Sequence, residues 1–188
     1  MPRIEPLPAQ RAGWLTKLLY RAAKWRFGAV PEPLAVAAHH PKLLMSMGYA
    51  EFAVDRTARR LPANLRELAT YRAATRIGCS WCVDFGTMVQ RNEGLDIDRL
   101  KEIDDYPTSP KFTARERTVL AYADAMTDQP MRVTDDQVAE LDRELGHDGL
   151  VELTYMIALE NERSRFNHAL GLTAQGFTSG EACRVPIP

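Results

Sequence analysis

The sequence predicts an all-α, single-domain helical bundle, and three observations carry that prediction. Apolar residues recur at intervals of three and four along most of the chain, as a helix with one inward face requires. Two capping boxes, Thr113-x-x-Glu116 and Thr134-x-x-Gln137, mark helix starts. No stretch shows the strict alternation of a half-buried strand. With 188 residues, 45% of them hydrophobic, the chain can bury one sizeable core.

The opening MPRIEPLPAQ holds three prolines and reads as an extended arm, of the kind that crosses a neighbour in an oligomer. From Arg11 to Arg26, Trp14, Leu15, Leu18, Leu19, Ala22 and Trp25 give helical periodicity, which Gly28, Pro31 and Pro33 end. A short helix is expected over Leu34 to His40, stopped by Pro41. A longer one follows from Lys42 to Arg59, with Leu44, Met47, Gly48, Phe52 and Val54 inward. Pro62 restarts the chain for a helix over Ala63 to Ile77, because proline suits a first turn.

Gly78 allows a break, and Cys79 is placed at the start of the next helix, which runs to Asn92 and stops at Gly94. Leu95 to Ile103 reads as a short helix and Tyr106 to Pro110 as a loop. The two capping boxes open helices to Thr127 and to about Gly146. A last helix is expected from Asp148 to Leu170, polar in its middle from Glu160 to His168. The tail beyond Gly171 holds the third thiol, Cys183.

The chemistry concentrates in ELATYRAATRIGCSWCVDFG, residues 67–86. Cys79 and Cys82 stand three apart, a spacing that lets two thiols approach and close into a disulfide. Zinc would want a second such pair or two suitably spaced histidines, and neither is present; haem attachment would want histidine where Val83 stands. A thioredoxin-type site needs a strand leading into the motif, and the flank is helical. Elimination favours a redox dithiol, with inert core cysteines and half a metal site as the alternatives. A thiol in a first turn meets free amides and the positive end of the helix dipole, which favours Cys79 as the more acidic of the two.

Glu67 lies twelve positions before Cys79, and a bend at Gly78 could fold it back toward the thiols; a capping or surface-paired role, with Arg66 or Arg72, is the alternative. In the polar middle of the last helix, Arg163 and Asn167 share a face, as do Ser164 and His168. This cluster reads as a solvated face or an intersubunit network. Trp81 reads as packing. Asp84 would oppose a thiolate rather than activate it.

The net charge of −1 leaves no basic footprint for nucleic acid, and no apolar run approaches the roughly 20 residues that span a bilayer. Three cysteines without a basic-then-apolar leader point to a reducing cytoplasm. No cofactor and no metal is expected.

At these residues the chain resembles the AhpD-like alkylhydroperoxidase branch of the carboxymuconolactone decarboxylase family. Residues 61–92 carry the likeness, with the glutamate, the Cys-Ser-x-Cys twelve residues on, and alanine-rich helices around both; the run from Ala158 to Leu172 adds to it. The resemblance divides the chain into an arm and first helix over residues 1–30, an AhpD-like helical domain over 31–172 and a tail over 173–188. It implies a homo-oligomer, a trimer or hexamer with a dimer as the variant. It also implies reduction of a small hydroperoxide with an external thiol or dithiol as electron donor.

By similarity Cys82 would attack the peroxide, Cys79 would condense with the resulting sulfenic acid, and Glu67 would be the base end of a proton relay. The family pattern places histidines where this chain has Trp81 and Gly86. Without them the glutamate must act through water or another group, His168 among the candidates. General-base assistance is worth about 10²–10⁴-fold, so a weak or altered peroxidase is expected. The alternatives are a lyase or hydrolase acting on a small lactone or acid, and a non-catalytic oligomer whose dithiol senses redox state.

Overall fold

The structure, a computed structural model, describes residues 2–178; Met1 and residues 179–188, Cys183 among them, lie outside the described residues. The described residues contain helices and no strand: α1 (Trp14–Phe27), α2 (Glu32–Ala37), α3 (Pro41–Thr57), α4 (Ala63–Ile77), α5 (Ser80–Asn92), α6 (Ala114–Thr127) and α7 (Asp135–Ala169). Short 3₁₀ segments occupy Ala9–Arg11 and Asp98–Asp105. No helix among the described residues is long and apolar enough to cross a membrane.

The centre is α4, which packs against α5, α6 and α7. Its inward residues Leu68, Ala69 and Ala73 have no exposed surface, and the alanines let the neighbouring helices close in. One core joins α4 and α5 through Leu68, Tyr71, Val83, Leu100, Ile103, Phe112 and Leu120. A second joins α4, α6 and α7 through Leu65, Ala69, Val119, Leu141, Leu153 and Ile157. A smaller cluster seats α1 to α3 through Tyr20, Ala35, Ala38 and Leu44.

The capping boxes of α6 and α7 both form, each with its reciprocal side-chain and backbone bonds. The expected stop near Gly146 is a break without a loop. Gly146 takes φ 73° and ψ 165°, and the helix resumes at once, so the two expected helices meet end to end in α7. The segment expected as a short helix from Leu95 forms a 3₁₀ segment over Asp98–Asp105, bent at Glu102. The short helix near Pro33 begins earlier than expected, since Pro31 serves as its N-cap and Pro33 sits in its first turn.

The inward face expected for α3 is corrected. Of its expected set only Leu44 is buried, whereas Phe52 is 59% exposed. This helix touches the body chiefly through its first turns, and its later half is held by ion pairs, so apolar periodicity did not translate into burial. The proline-rich arm packs on its own chain: Arg3 N–H donates to Leu170 O and Leu7 N–H to Ala35 O.

The backbone makes opposite demands at two glycines. Gly146 sits in a region that essentially only glycine occupies, so Gly146→Ala is expected to lower unfolding free energy by about 1–3 kcal/mol. Gly48 lies inside α3 with open space where a Cβ would go. There Gly48→Ala is expected to stabilise by about 0.4–1 kcal/mol. Urea unfolding of the two variants checks both signs.

Candidate active site

Gly78 closes α4 in a left-handed conformation, φ 83°, and turns the chain sharply before the first thiol. Cys79 is therefore the N-cap of α5 rather than a residue within it, and its Sγ accepts the Cys82 N–H at 3.2 Å. That position gives Cys79 Sγ the dipole and the free amides of a helix start, which favour negative charge on it. Cys79 and Cys82 are joined in a disulfide, their Cα atoms 5.3 Å apart. Both residues are buried, Cys79 at 1% exposure and Cys82 at 7%.

What faces the sulfurs comes from α7. Asn167 Nδ2 donates to Cys82 Sγ at 3.3 Å and lies 3.9 Å from Cys79 Sγ. Ser164 Oγ stands 3.3 Å from Cys82 Sγ and 2.7 Å from Glu160 Oε1. Glu160, Ser164 and Asn167 are all buried and follow Leu153 and Ile157 along the inward stripe of the helix. Burial pushes the Glu160 carboxyl up to about 7, although Arg163 and the Ser164 hydroxyl favour its ionised form. Arg163 Nη1 lies 3.5 Å from Glu160 Oε2, and its Nε donates to Glu51 Oε1 of α3 at 2.8 Å.

The other expected site residues are placed differently. The Glu67 carboxylate accepts from Arg66 Nε at 2.9 Å, and Arg66 also reaches Glu93 and the Ala58 carbonyl. Burial raises the Glu67 carboxyl above the usual carboxylate range, against the pull of Arg66. Its hydrogen bond ends on Arg66 and goes to neither sulfur. His168 stands exposed in the last turn of α7 and bonds to neither sulfur.

Asp84 is buried, and its carboxylate gathers the tail. Oδ2 accepts the N–H groups of Gln175, Gly176 and Phe177, and Oδ1 accepts both N–H and hydroxyl of Thr178. Trp81 stacks on Phe85 with ring centroids 4.8 Å apart and donates Nε1–H to Gln175 Oε1 at 3.2 Å. Trp81 and Asp84 thus hold the tail on α5. Among the described residues no group of three or more histidine, cysteine, aspartate or glutamate side chains could hold a metal ion.

Sequence reasoning passed over Glu160 and gave Ser164 no role. The signal was present: positions 153, 157, 160, 164 and 167 continue one stripe at intervals of four and three, so the polar members inherit the burial of the apolar ones.

A model of the carboxymuconolactone decarboxylase family matches residues 38–125. The uncharacterised protein YnjA of Escherichia coli (strain K12) is 30% identical over 173 residues, covering 90% of this chain and 92% of its own. Alkyl hydroperoxide reductase Rv2159c of Mycobacterium tuberculosis is 33% identical over 84 residues, 45% of this chain and 24% of its own. Among solved structures, the debrominase Bmp8 in its apo form superposes with a TM-score of 0.83 at 18% identity, over 97% of both chains, a likeness of fold.

The Asp84 anchor yields a stability prediction. Asp84→Asn keeps the shape but turns an amide N–H₂ toward backbone donors. The loss is expected to be about 2 kcal/mol, and the tail is expected to be cut faster by a protease. Urea unfolding and limited proteolysis report the two effects.

Proposed function

The chain belongs to the carboxymuconolactone decarboxylase family, in its AhpD-like branch, and from that premise we propose that it is a dithiol oxidoreductase reducing small organic hydroperoxides. The observation that carries the reading is the buried Cys79–Cys82 pair at the start of α5, with Ser164 and Asn167 directed at Cys82 Sγ. Ser164 and Asn167 both stand 3.3 Å from Cys82 Sγ, so attack is assigned to Cys82. Cys79, at the helix N-cap, is assigned the resolving role, because a sulfur there leaves readily as thiolate when a donor resets the disulfide.

The steps balance. Cys82 thiolate attacks the outer peroxide oxygen, the O–O bond breaks, Cys82 becomes a sulfenic acid and the alkoxide takes a proton to leave as alcohol. Cys79 thiol then displaces hydroxide from the sulfenic acid, water departs and the disulfide forms. An external dithiol returns two electrons and two protons through a mixed disulfide on Cys82, and is itself oxidised. The reading places the protein in a reducing cytoplasm. It also includes a homo-oligomer, because Trp14, Trp25, Tyr49 and Phe52 leave large aromatic rings on the surface of one chain.

A second reading keeps the dithiol and changes the electrophile. It is favoured by the match in fold, over nearly the whole chain, to a debrominase. A brominated aromatic would leave with hydrogen in place of bromine, bromide would be released and the two thiols would become the disulfide.

The test follows thiol content and intact mass after one equivalent of an organic hydroperoxide, in a Cys183→Ser background that leaves two thiols. The parent is expected to lose both thiols and recover them with a dithiol donor. Cys82→Ser is expected to consume no peroxide, and Cys79→Ser to stop after gaining one oxygen. Turnover that survives both substitutions overturns the reading. Turnover of a lactone or small acid by those variants would instead establish the lyase or hydrolase alternative.

A further inference from the structure

We propose that Ser164 and Glu160 form the proton path of the dithiol, Ser164 touching the reacting sulfur and Glu160 acting behind it as proton acceptor. This rests on the dithiol reading and supplies what the resemblance had assigned to Glu67 and two histidines. The path is continuous in distance, 3.3 Å from Cys82 Sγ to Ser164 Oγ and 2.7 Å from there to Glu160 Oε1. Ser164 has no exposed surface and Glu160 has little, so bulk water does not stand between them. The hydrogen bond of Glu67 is spent on Arg66.

Proton counting fits this order. A serine hydroxyl has one hydrogen, which in the disulfide form goes to the nearer partner, the Glu160 carboxylate. When Cys82 is a thiol, its S–H donates to Ser164 Oγ while the hydroxyl donates to Glu160. Moving both protons one place leaves a thiolate that accepts from Ser164 and a neutral Glu160 that donates to Ser164. After the O–O bond breaks, the reverse shift can return that proton toward the alkoxide. Every bond is a proton moved between oxygen or sulfur atoms already in line, and no electron leaves the pair.

The carboxyl is also matched to the task. An unperturbed thiol titrates near pH 8.5. A carboxylate at its ordinary value of 4.5 would hold the proton unfavourably by about four units, or about 10⁴-fold. With Glu160 raised to about 7 the gap is about 1.5 units, or about 30-fold. The charged and titratable groups facing Glu160 are Arg163 on its own helix, Glu51 from α3 and, through Ser164, Cys82 from α5; Arg163 also acts on Glu67 of α4. Arg163 divides its guanidinium between Glu51 and Glu160. Glu51 therefore raises Glu160 twice, by its own charge and by holding Arg163 away.

The experiment measures alkylation of Cys82 by iodoacetamide against pH, in full-length protein carrying Cys79→Ser and Cys183→Ser so that Cys82 is the sole thiol. Circular dichroism on each variant checks folding. Ionised Glu160 accepts the proton, so the rate is expected to rise with pH through about 7. Glu160→Gln is expected to abolish that rise and lower the rate at pH 7.5 by about 10²-fold. Ser164→Ala is expected to do the same, with Ser164→Thr restoring the hydroxyl and the rise. Glu51→Gln, at a half-exposed position outside the path, is expected to move the midpoint to lower pH.

A Glu160→Gln protein that is folded and keeps the parent midpoint overturns the proposal, as does a rise lost in Glu67→Gln instead. An unmoved midpoint in Glu51→Gln also overturns it. Because alkylation needs no peroxide, failure to consume hydroperoxide would defeat the oxidoreductase reading while leaving this profile to decide the proton path separately.

Discussion

The structure depends on the inward stripe of α7, which cannot avoid the core. A helix packed along α4 and α5 delivers whatever stands at its inward positions to the interior, whatever the polarity. Leu153 and Ile157 fill that stripe as expected of a bundle, and then Glu160, Ser164 and Asn167 continue it. Burying a carboxyl, a hydroxyl and an amide in succession is costly unless each finds a partner. Their partners are one another, Arg163 and the two sulfurs of α5. The polar end of α7 and the dithiol are thus one assembly, and neither is well accommodated without the other.

The second constraint is where α5 begins. Gly78 ends α4 with a left-handed residue, and the turn sets Cys79 as cap with Cys82 one turn on. The two thiols consequently differ in kind. Cys79 belongs to the helix start and its amides, while Cys82 belongs to the interface with α7. On the opposite flank, Asp84 and Trp81 tie residues 175–178 to the same helix, which holds α5 from both sides. A short helix fixed in this way holds its two sulfurs against the polar end of α7.

Much of this was legible in the residues. The helices of the central bundle were readable because apolar period, capping boxes and glycine stops agreed with one another, as at Thr113 and Gly78. The closeness of Cys79 and Cys82 was readable because a three-residue spacing brings two side chains together at a helix start. The burial of α3 was misread because periodicity shows that a helix has an apolar face and not what covers it. Phe52 and Tyr49 lie on a face that the described residues do not cover. Glu160 was missed for the converse reason: in sequence it sits among charged residues such as Glu162 and Arg165, which are exposed. Only the register carried over from Leu153 separates the inward acid from the outward ones. Asp84 was read for its charge near a thiol, whereas its partners lie some ninety residues along the chain, a distance no local pattern spans.

Asn167 shows how the hydrogen bonds of the site depend on the state of the two sulfurs. In the oxidised protein its Nδ2 points at two sulfurs that only accept weakly, and its buried Oδ1 has no partner among the described residues. A buried amide oxygen without a donor is a standing cost of about 1–3 kcal/mol in that state. On the proposed dithiol reading, reduction turns sulfurs that only accept into groups that also donate, the Cys82 S–H going to Ser164. Ser164 serves one acceptor in the disulfide form and can serve as a link once Cys82 carries a hydrogen. The polar stripe is therefore better matched to the dithiol than to the disulfide.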